Sequence, residues 1–151
     1  MTGEQPTAAI AQYPETLAMV RLGAGSEIPD WAEASSILAV CATATETTLV
    51  CATRSVPRKV PAHRPLTAFA VPGEVTGAGA MRLPDLLAAA TEVDVPVLVV
   101  TTFEAHWLLV PRDDADRAAD QWRRRGHEVA PAVPVDPRDR EPTHQDRKKK
   151  R

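Results

Sequence analysis

Aromatic side chains are scarce in this chain of 151 residues, with three Trp, two Phe and one Tyr. The core must therefore be assembled from small pieces, and 25 alanines and 16 valines supply them. Cysteine is scarcer still. Cys41 and Cys51 stand ten residues apart in apolar, strand-like runs, which excludes a disulfide scaffold, a CxxC redox pair and zinc-ligand spacing. Two buried thiols are the expectation, facing each other across a hairpin if the intervening turn centres on Glu46. No apolar run reaches the roughly 18 residues that span a bilayer, and the polar opening Met1 to Gln5 lacks the basic start and apolar stretch of a signal peptide. A cytoplasmic location without membrane contact is expected. Neither sign of charge dominates, since 18 basic against 20 acidic residues leave a formal charge of -2, so nucleic acid and membrane surfaces are excluded as partners of the molecule as a whole.

What is present is a globular composition, 44% apolar and 25% charged. Both ends read as tails. Residues 1–14 carry small and polar side chains without a period. Residues 131–151 hold Pro131, Pro134, Pro137 and Pro142 among charges and close on Lys148, Lys149, Lys150 and Arg151, a solubilising cluster with at most weak affinity for nucleic acid. Between them the clearest element is a helix over Asp114 to Arg125, where Ala115, Ala118, Ala119 and Trp122 fall on one stripe, arginines fill the last turn and Gly126 ends it. Leu83, Leu86, Leu87 and Ala90 predict a second helix with Pro84 in its first turn.

Runs rich in β-branched residues at Leu66 to Val71, Val95 to Thr101, His106 to Val110 and His127 to Ala130 predict strands. Their order with the helices is strand, helix, strand, strand, helix, strand, the ferredoxin-like arrangement with both helices on one face of an antiparallel sheet. The nearly continuous apolar run Val95 to Val100 reads as a central strand. An abbreviated βαββ copy precedes it: strand Thr16 to Leu22, a helical turn Pro29 to Ser36, and strands Ile37 to Ala42 and Thr48 to Thr53. The predicted organisation is α+β, with an abbreviated unit over 15–56, a proline-rich linker over 57–65 and a complete unit over 66–130.

Little in the sequence supports catalysis. Gly77 and Gly79 lie between a strand and a helix, as in a dinucleotide-binding loop, but Arg82 stands where the third glycine belongs and no acidic residue closes the next strand. Such a loop still presents amide hydrogens and partial positive charge at a helix start, suited to a carboxylate. Gly23 to Ser26 lacks the frame of a nucleophile elbow, and no pair of carboxylates sits in an acid-base motif. His63 and His144 lie in polar, proline-rich surroundings, His127 follows Gly126 where it complements the helix dipole, and His106 opens a strand after a turn, where an exposed ring would stand beside a ligand. No metal and no cofactor is expected.

Three stretches resemble the ACT-domain family in its paired subtype, found in the cytosolic arginine sensor of animals and in small bacterial proteins. They are Pro29-Asp30-Trp31; Thr43 to Cys51, similar to the family's T-x-x-E-L-S-x-V-C; and Val95 to Val110, similar to a family segment centred on S-T-Y-D-T-D. The resemblance covers about Leu17 to Val129. It implies a non-enzymatic regulatory domain that binds an amino acid or related carboxylate at the seam between two units, with a homodimer or another protein as partner. Carried over residue by residue, the implied ligand site comprises Thr43, Glu46, Thr48, Gly73, Thr76, Gly77, Gly79, Met81, Thr102, Glu104 and His106. Three positions depart from the pattern: Ala42 replaces an arginine, His106 an aspartate and Met81 a glycine. A carboxylate at 106 would pair with a ligand's ammonium group, which neutral histidine cannot do. Three alternatives follow: Glu104 takes that role, the ligand is not an α-amino acid, or the site has lapsed and the domain mediates association alone.

Overall fold

A computed structural model describes residues 7–132. Its strands are β1 (Ala9–Gln12), β2 (Leu17–Gly23), β3 (Ala39–Ala42), β4 (Glu46–Ala52), β5 (Ala62–Pro72), β6 (Leu98–Thr101), β7 (Ala105–Pro111) and β8 (Glu128–Ala130), and its helices α1 (Asp30–Glu33), α2 (Arg82–Glu92) and α3 (Ala115–Arg124). All eight strands form one sheet, antiparallel except where β8 joins β1. The fold is the expected α+β arrangement of ferredoxin-like type, with helices on one face.

β5 is the spine. One of its edges carries β7 from Leu66↔Pro111 to Pro72↔Ala105, and β6 lies beyond β7. The other edge carries β2 along the first half of β5 (Leu17↔Leu66, Val20↔Ala62) and β1 along the second (Ala11↔Ala70). β4 and then β3 extend the sheet from β2, while β8 extends it from β1. β5 thus pairs along both of its edges. Between β4 and β5 the chain makes a three-residue 3-10 turn, Thr53–Ser55, and no α-helix.

Alternation along the strands sorts side chains into two faces. The helix-covered face holds Phe69, Val71, Leu108 and Val110 under α2 and α3, with Trp122 fully buried and edge-on to Phe69 at 5.0 Å. On the same face α1 covers Ala18, Val20, Leu49 and Cys51. The opposite face presents Leu17, Val50, Leu66, Ala68 and Leu109 beneath Tyr13, Met19, Ile37 and Trp107.

Four expectations are corrected. Residues 7–12 are not a tail: β1 wedges between β5 and β8, burying Ala8 and Ile10 to 1% and 2% exposure. The linker is shorter than 57–65, because β5 already begins at Ala62 and its last four residues belong to the sheet. Val95 to Val100 is not a central strand. β6 is four residues long and pairs with β7 alone, whereas Val95 and Val97 pack into the core beside α2. Cys41 is exposed on the edge strand β3 while Cys51 is buried, and they are not paired: the turn is centred between Ala44 and Thr45 and not on Glu46, so Cys41 faces Thr48 of β4, and Cys51 lies opposite Ala18 of β2. The segment 133–151 and its basic cluster, with His144, lie outside the described residues.

Candidate functional site

β5 leaves the sheet at Pro72 into a loop that ends in a 3-10 turn, Gly77–Met81, running directly into α2. Gly73 (φ 128°) and Gly77 (φ 67°) adopt backbone angles that side chains resist, which accounts for both glycines. The Gly73 N–H donates to the Glu104 carbonyl at 3.0 Å, so the glycine loop is tied to the β6–β7 turn. That turn is closed by the Thr102 N–H to the Ala105 carbonyl at 2.9 Å. Two of the three predicted segments therefore meet.

His106 departs from the expectation of an exposed ring. It is 7% exposed, directly opposite Val71, and its side chain points into the helix-covered face. One ring nitrogen, Nδ1, lies 2.9 Å from the Thr101 hydroxyl, and Nε2 is buried without a hydrogen-bond partner. Arg82, the first residue of α2, behaves similarly. Its guanidinium lies 3.6 to 3.9 Å from where a Cβ on Gly73 would be, ordinary van der Waals contact, and its Nε is buried and unpartnered. Gly73 follows Val71, the strand partner of His106, by two residues, so Arg82 and His106 both belong to the loop end of β5. No carboxylate lies within ion-pair distance of Arg82 among the described residues. Arg82 entered the sequence reading only as the residue that spoils a dinucleotide motif. The signal that marks it is a guanidinium that opens a helix directly behind a glycine loop.

The third predicted segment lies elsewhere. Glu46 pairs with Gly23, beyond the start of β5, whereas the glycine loop follows its end, so the Thr43 to Glu46 turn does not join that loop. Thr43 is occupied locally, its hydroxyl accepting the Glu46 and Thr45 N–H groups at 3.1 and 3.3 Å. Glu46 accepts the Thr48 hydroxyl at 3.4 Å and faces Arg21 at 3.7 Å. Thr48 and Thr102 do share a groove, but on the helix-free face, between the edge strands β3 and β6. Next to that groove a cavity of about 240 Å³ is lined by Leu17, Ile37, Val50, Trp107 and Leu109. Thr76 is exposed, Gly77 and Gly79 lie in the 3-10 turn, Met81 is 67% exposed, and Glu104 projects to solvent.

His63, expected in a linker, lies exposed on β5. His127 is buried and bonded to Asp85, so it locks elements together in addition to sitting at the end of α3. Among the described residues no three His, Cys, Asp or Glu side chains gather as a metal site, and no helix is long and apolar enough to cross a membrane.

No family model matches the chain. No curated protein matches it either. Solved structures do. Atu0741 from Agrobacterium tumefaciens superimposes with a TM-score of 0.77 at 22% identity, over 87% of this chain and 98% of that one. VC0802 from Vibrio cholerae, a protein of unknown function and possible transport role, gives 0.62 at 12% identity, over 78% and 89%. The regulatory subunit of aspartate kinase from Thermus flavus gives 0.55 at 9% identity, over 80% and 98%. The chain thus has the ACT-like fold of aspartate kinase regulatory domains.

Proposed function

We propose that the chain is a non-enzymatic regulatory domain that senses a small carboxylate-bearing molecule. The observation that carries this reading is the meeting of the glycine loop with the β6–β7 turn above a buried, unpartnered His106 Nε2. A buried polar atom without a partner costs roughly 1 to 3 kcal/mol, a cost that a bound ligand would remove. The fold supports the reading, because it is shared with regulatory subunits of aspartate kinase, an allosteric enzyme in one of the matched proteins. In this reading two units share β5, an abbreviated one from Glu15 to Val56 and a complete one from Leu66 to Ala130 completed by β1. The ligand sits at the loop end of the complete unit, and the signal passes to a second copy or another cytoplasmic protein.

A thermal-denaturation screen tests it. A ligand present at 100 times its Kd adds about 2.7 kcal/mol, which raises the melting temperature of a domain this size by several degrees. The screen should contain the twenty amino acids, simple mono- and dicarboxylates, and nucleotides. If no compound moves the transition while light scattering finds a stable oligomer, the sensing reading fails. The alternative is then a structural interaction module. One observation favours that second reading: β3 and β6 are edge strands beside exposed Leu38, Val40, Val99 and Phe103, the last 95% exposed.

A further inference from the structure

The chemistry of the groups gathered at the loop end of β5 restricts the kind of ligand that fits. Arg82 offers a guanidinium whose Nε is buried and unpartnered. His106, opposite Val71 two residues before Gly73, has an Nε2 that is likewise buried and unpartnered. Above them α2 starts without a side-chain cap: Met81, at its N-cap position, makes no hydrogen bond to the first turn. The 3-10 turn Gly77–Met81 runs directly into this 11-residue helix, whose positive dipole end therefore lies beside the glycine loop. Both side chains can donate a hydrogen bond. His106 does so from Nε2 when the Thr101 hydroxyl donates to Nδ1, an arrangement that satisfies both nitrogens beside an anion.

The acceptors nearby are few and face outward. Glu104 contributes its backbone carbonyl to Gly73 and its carboxylate to solvent. Glu74 is exposed, with one oxygen 3.8 Å from where a Gly77 Cβ would lie, and makes no ion pair with Arg82. A zwitterion would bring an ammonium group into this cluster of donors with no buried carboxylate to receive it.

We propose that the site takes a small oxyanion that carries no ammonium group, with Arg82 as its principal anchor and His106 Nε2 as a second donor. The proposal rests on the sensing reading above and removes α-amino acids from its ligand class. Arg82 lies outside the set of residues that the sequence pattern suggested. Carboxylate and phosphoryl groups share the chemistry, so the test carries both.

Calorimetric titration of the full chain with succinate, inorganic phosphate and L-alanine at one ionic strength decides between them. Succinate or phosphate should bind at least about tenfold more tightly than alanine, and Arg82→Gln should weaken that binding about tenfold or more, since charge-assisted hydrogen bonds to a guanidinium are among the strong ones. Arg21→Gln, at the far end of the sheet, should leave it unchanged. His106→Leu should weaken it, and His106→Gln, which keeps an N–H donor at a similar reach, should restore most of the loss. A histidine nitrogen resonance that shifts on adding the anion to unmodified protein gives a readout independent of the variants. Tighter binding of alanine than of either anion would overturn the proposal and leave the sensing reading intact. Anion binding that is indifferent to Arg82→Gln would also overturn it, by placing the anion elsewhere. Failure of all three compounds, together with a silent thermal screen, would remove both.

Discussion

His127 and Asp85 meet at 2.8 Å between Nε2 and Oδ2, joining the start of β8 to the first turn of α2 across 42 residues of sequence. The other ring nitrogen accepts the Ala8 N–H at 2.9 Å, so the proton resides on Nε2 and the imidazole donates to the carboxylate. One buried ring therefore ties together the lead-in to β1, β8 and α2. His127→Ala removes a hydrogen bond to a charged group and strands the Ala8 amide, at a cost of about 2 to 4 kcal/mol. Asp85→Asn keeps an acceptor and should cost about 1 kcal/mol. Urea denaturation of the two variants checks the order, and equal losses would mean that the charge, not the geometry, matters.

The second prediction concerns β1. Ile10 is 2% exposed and packs in the cluster with Phe69, Leu108 and Trp122. Ile10→Ala should cost about 2 to 5 kcal/mol and Ile10→Val about 1 kcal/mol, the range for deleting buried methyl groups. A deletion through Gln12 should cost more than Ile10→Ala, because it also removes the partner strand of β8 and exposes an edge of β5. Loss of stability within error for Ile10→Ala would return this segment to the status of a tail.

Why β1 was illegible while α3 was not is a matter of signal length. The stripe Ala115, Ala118, Ala119 and Trp122 spans two turns, with Gly126 as a stop, and all four residues are buried as the spacing requires. β1 has four residues, and its inward face consists of Ile10 with small Ala8 beside it, too few positions to define a period. The run Val95 to Val100 misleads for a different reason. Its apolar character meets two separate needs, since Val95 and Val97 fill the core beside α2 whereas Leu98 and Val100 face the helix-free side. At the site, Gly73, Glu104 and His106 were legible from the segments that hold them. Arg82 was not, because its importance comes from Gly73 lying beneath its guanidinium, a contact across nine residues that no local pattern encodes.

A third prediction follows from the end of α2. Asp94 is in the left-handed region (φ 57°), with its N–H bonded to the Thr91 carbonyl and the Val95 N–H to the Ala90 carbonyl, the Schellman closure that glycine favours. α3 ends in the same way on Gly126 (φ 90°), with the His127 N–H to the Trp122 carbonyl. Asp94→Gly should therefore stabilise the fold by up to about 1 kcal/mol, while Asp94→Val should destabilise it by at least as much. Differential scanning calorimetry of the pair measures this directly. A destabilised Asp94→Gly would show that the aspartate side chain contributes more than its backbone costs.

The two cysteines supply the last prediction. Cys41 is exposed on β3 and Cys51 is buried on β4. Burial pushes the Cys51 thiol above its ordinary value of 9.0, and a hydrogen bond with Ser35 partly counters it. An aromatic disulfide reagent at neutral pH should therefore release one equivalent of chromophore from the folded chain and two in denaturant. The raised value also fixes the direction of a pH effect. Below about pH 9 both folded and unfolded chains keep the Cys51 proton, and this thiol contributes no slope. As pH climbs past the ordinary value the unfolded chain loses the proton first, so it binds fewer protons than the folded chain and stability falls. Urea midpoints of wild type and Cys51→Ala, compared from pH 7 to pH 10 under reducing conditions, isolate this contribution from the lysines and the tyrosine. The gap between the two proteins should stay constant to about pH 8.5 and then shift against wild type. A gap that stays constant to pH 10 would mean that the Cys51 thiol is not desolvated in the folded state.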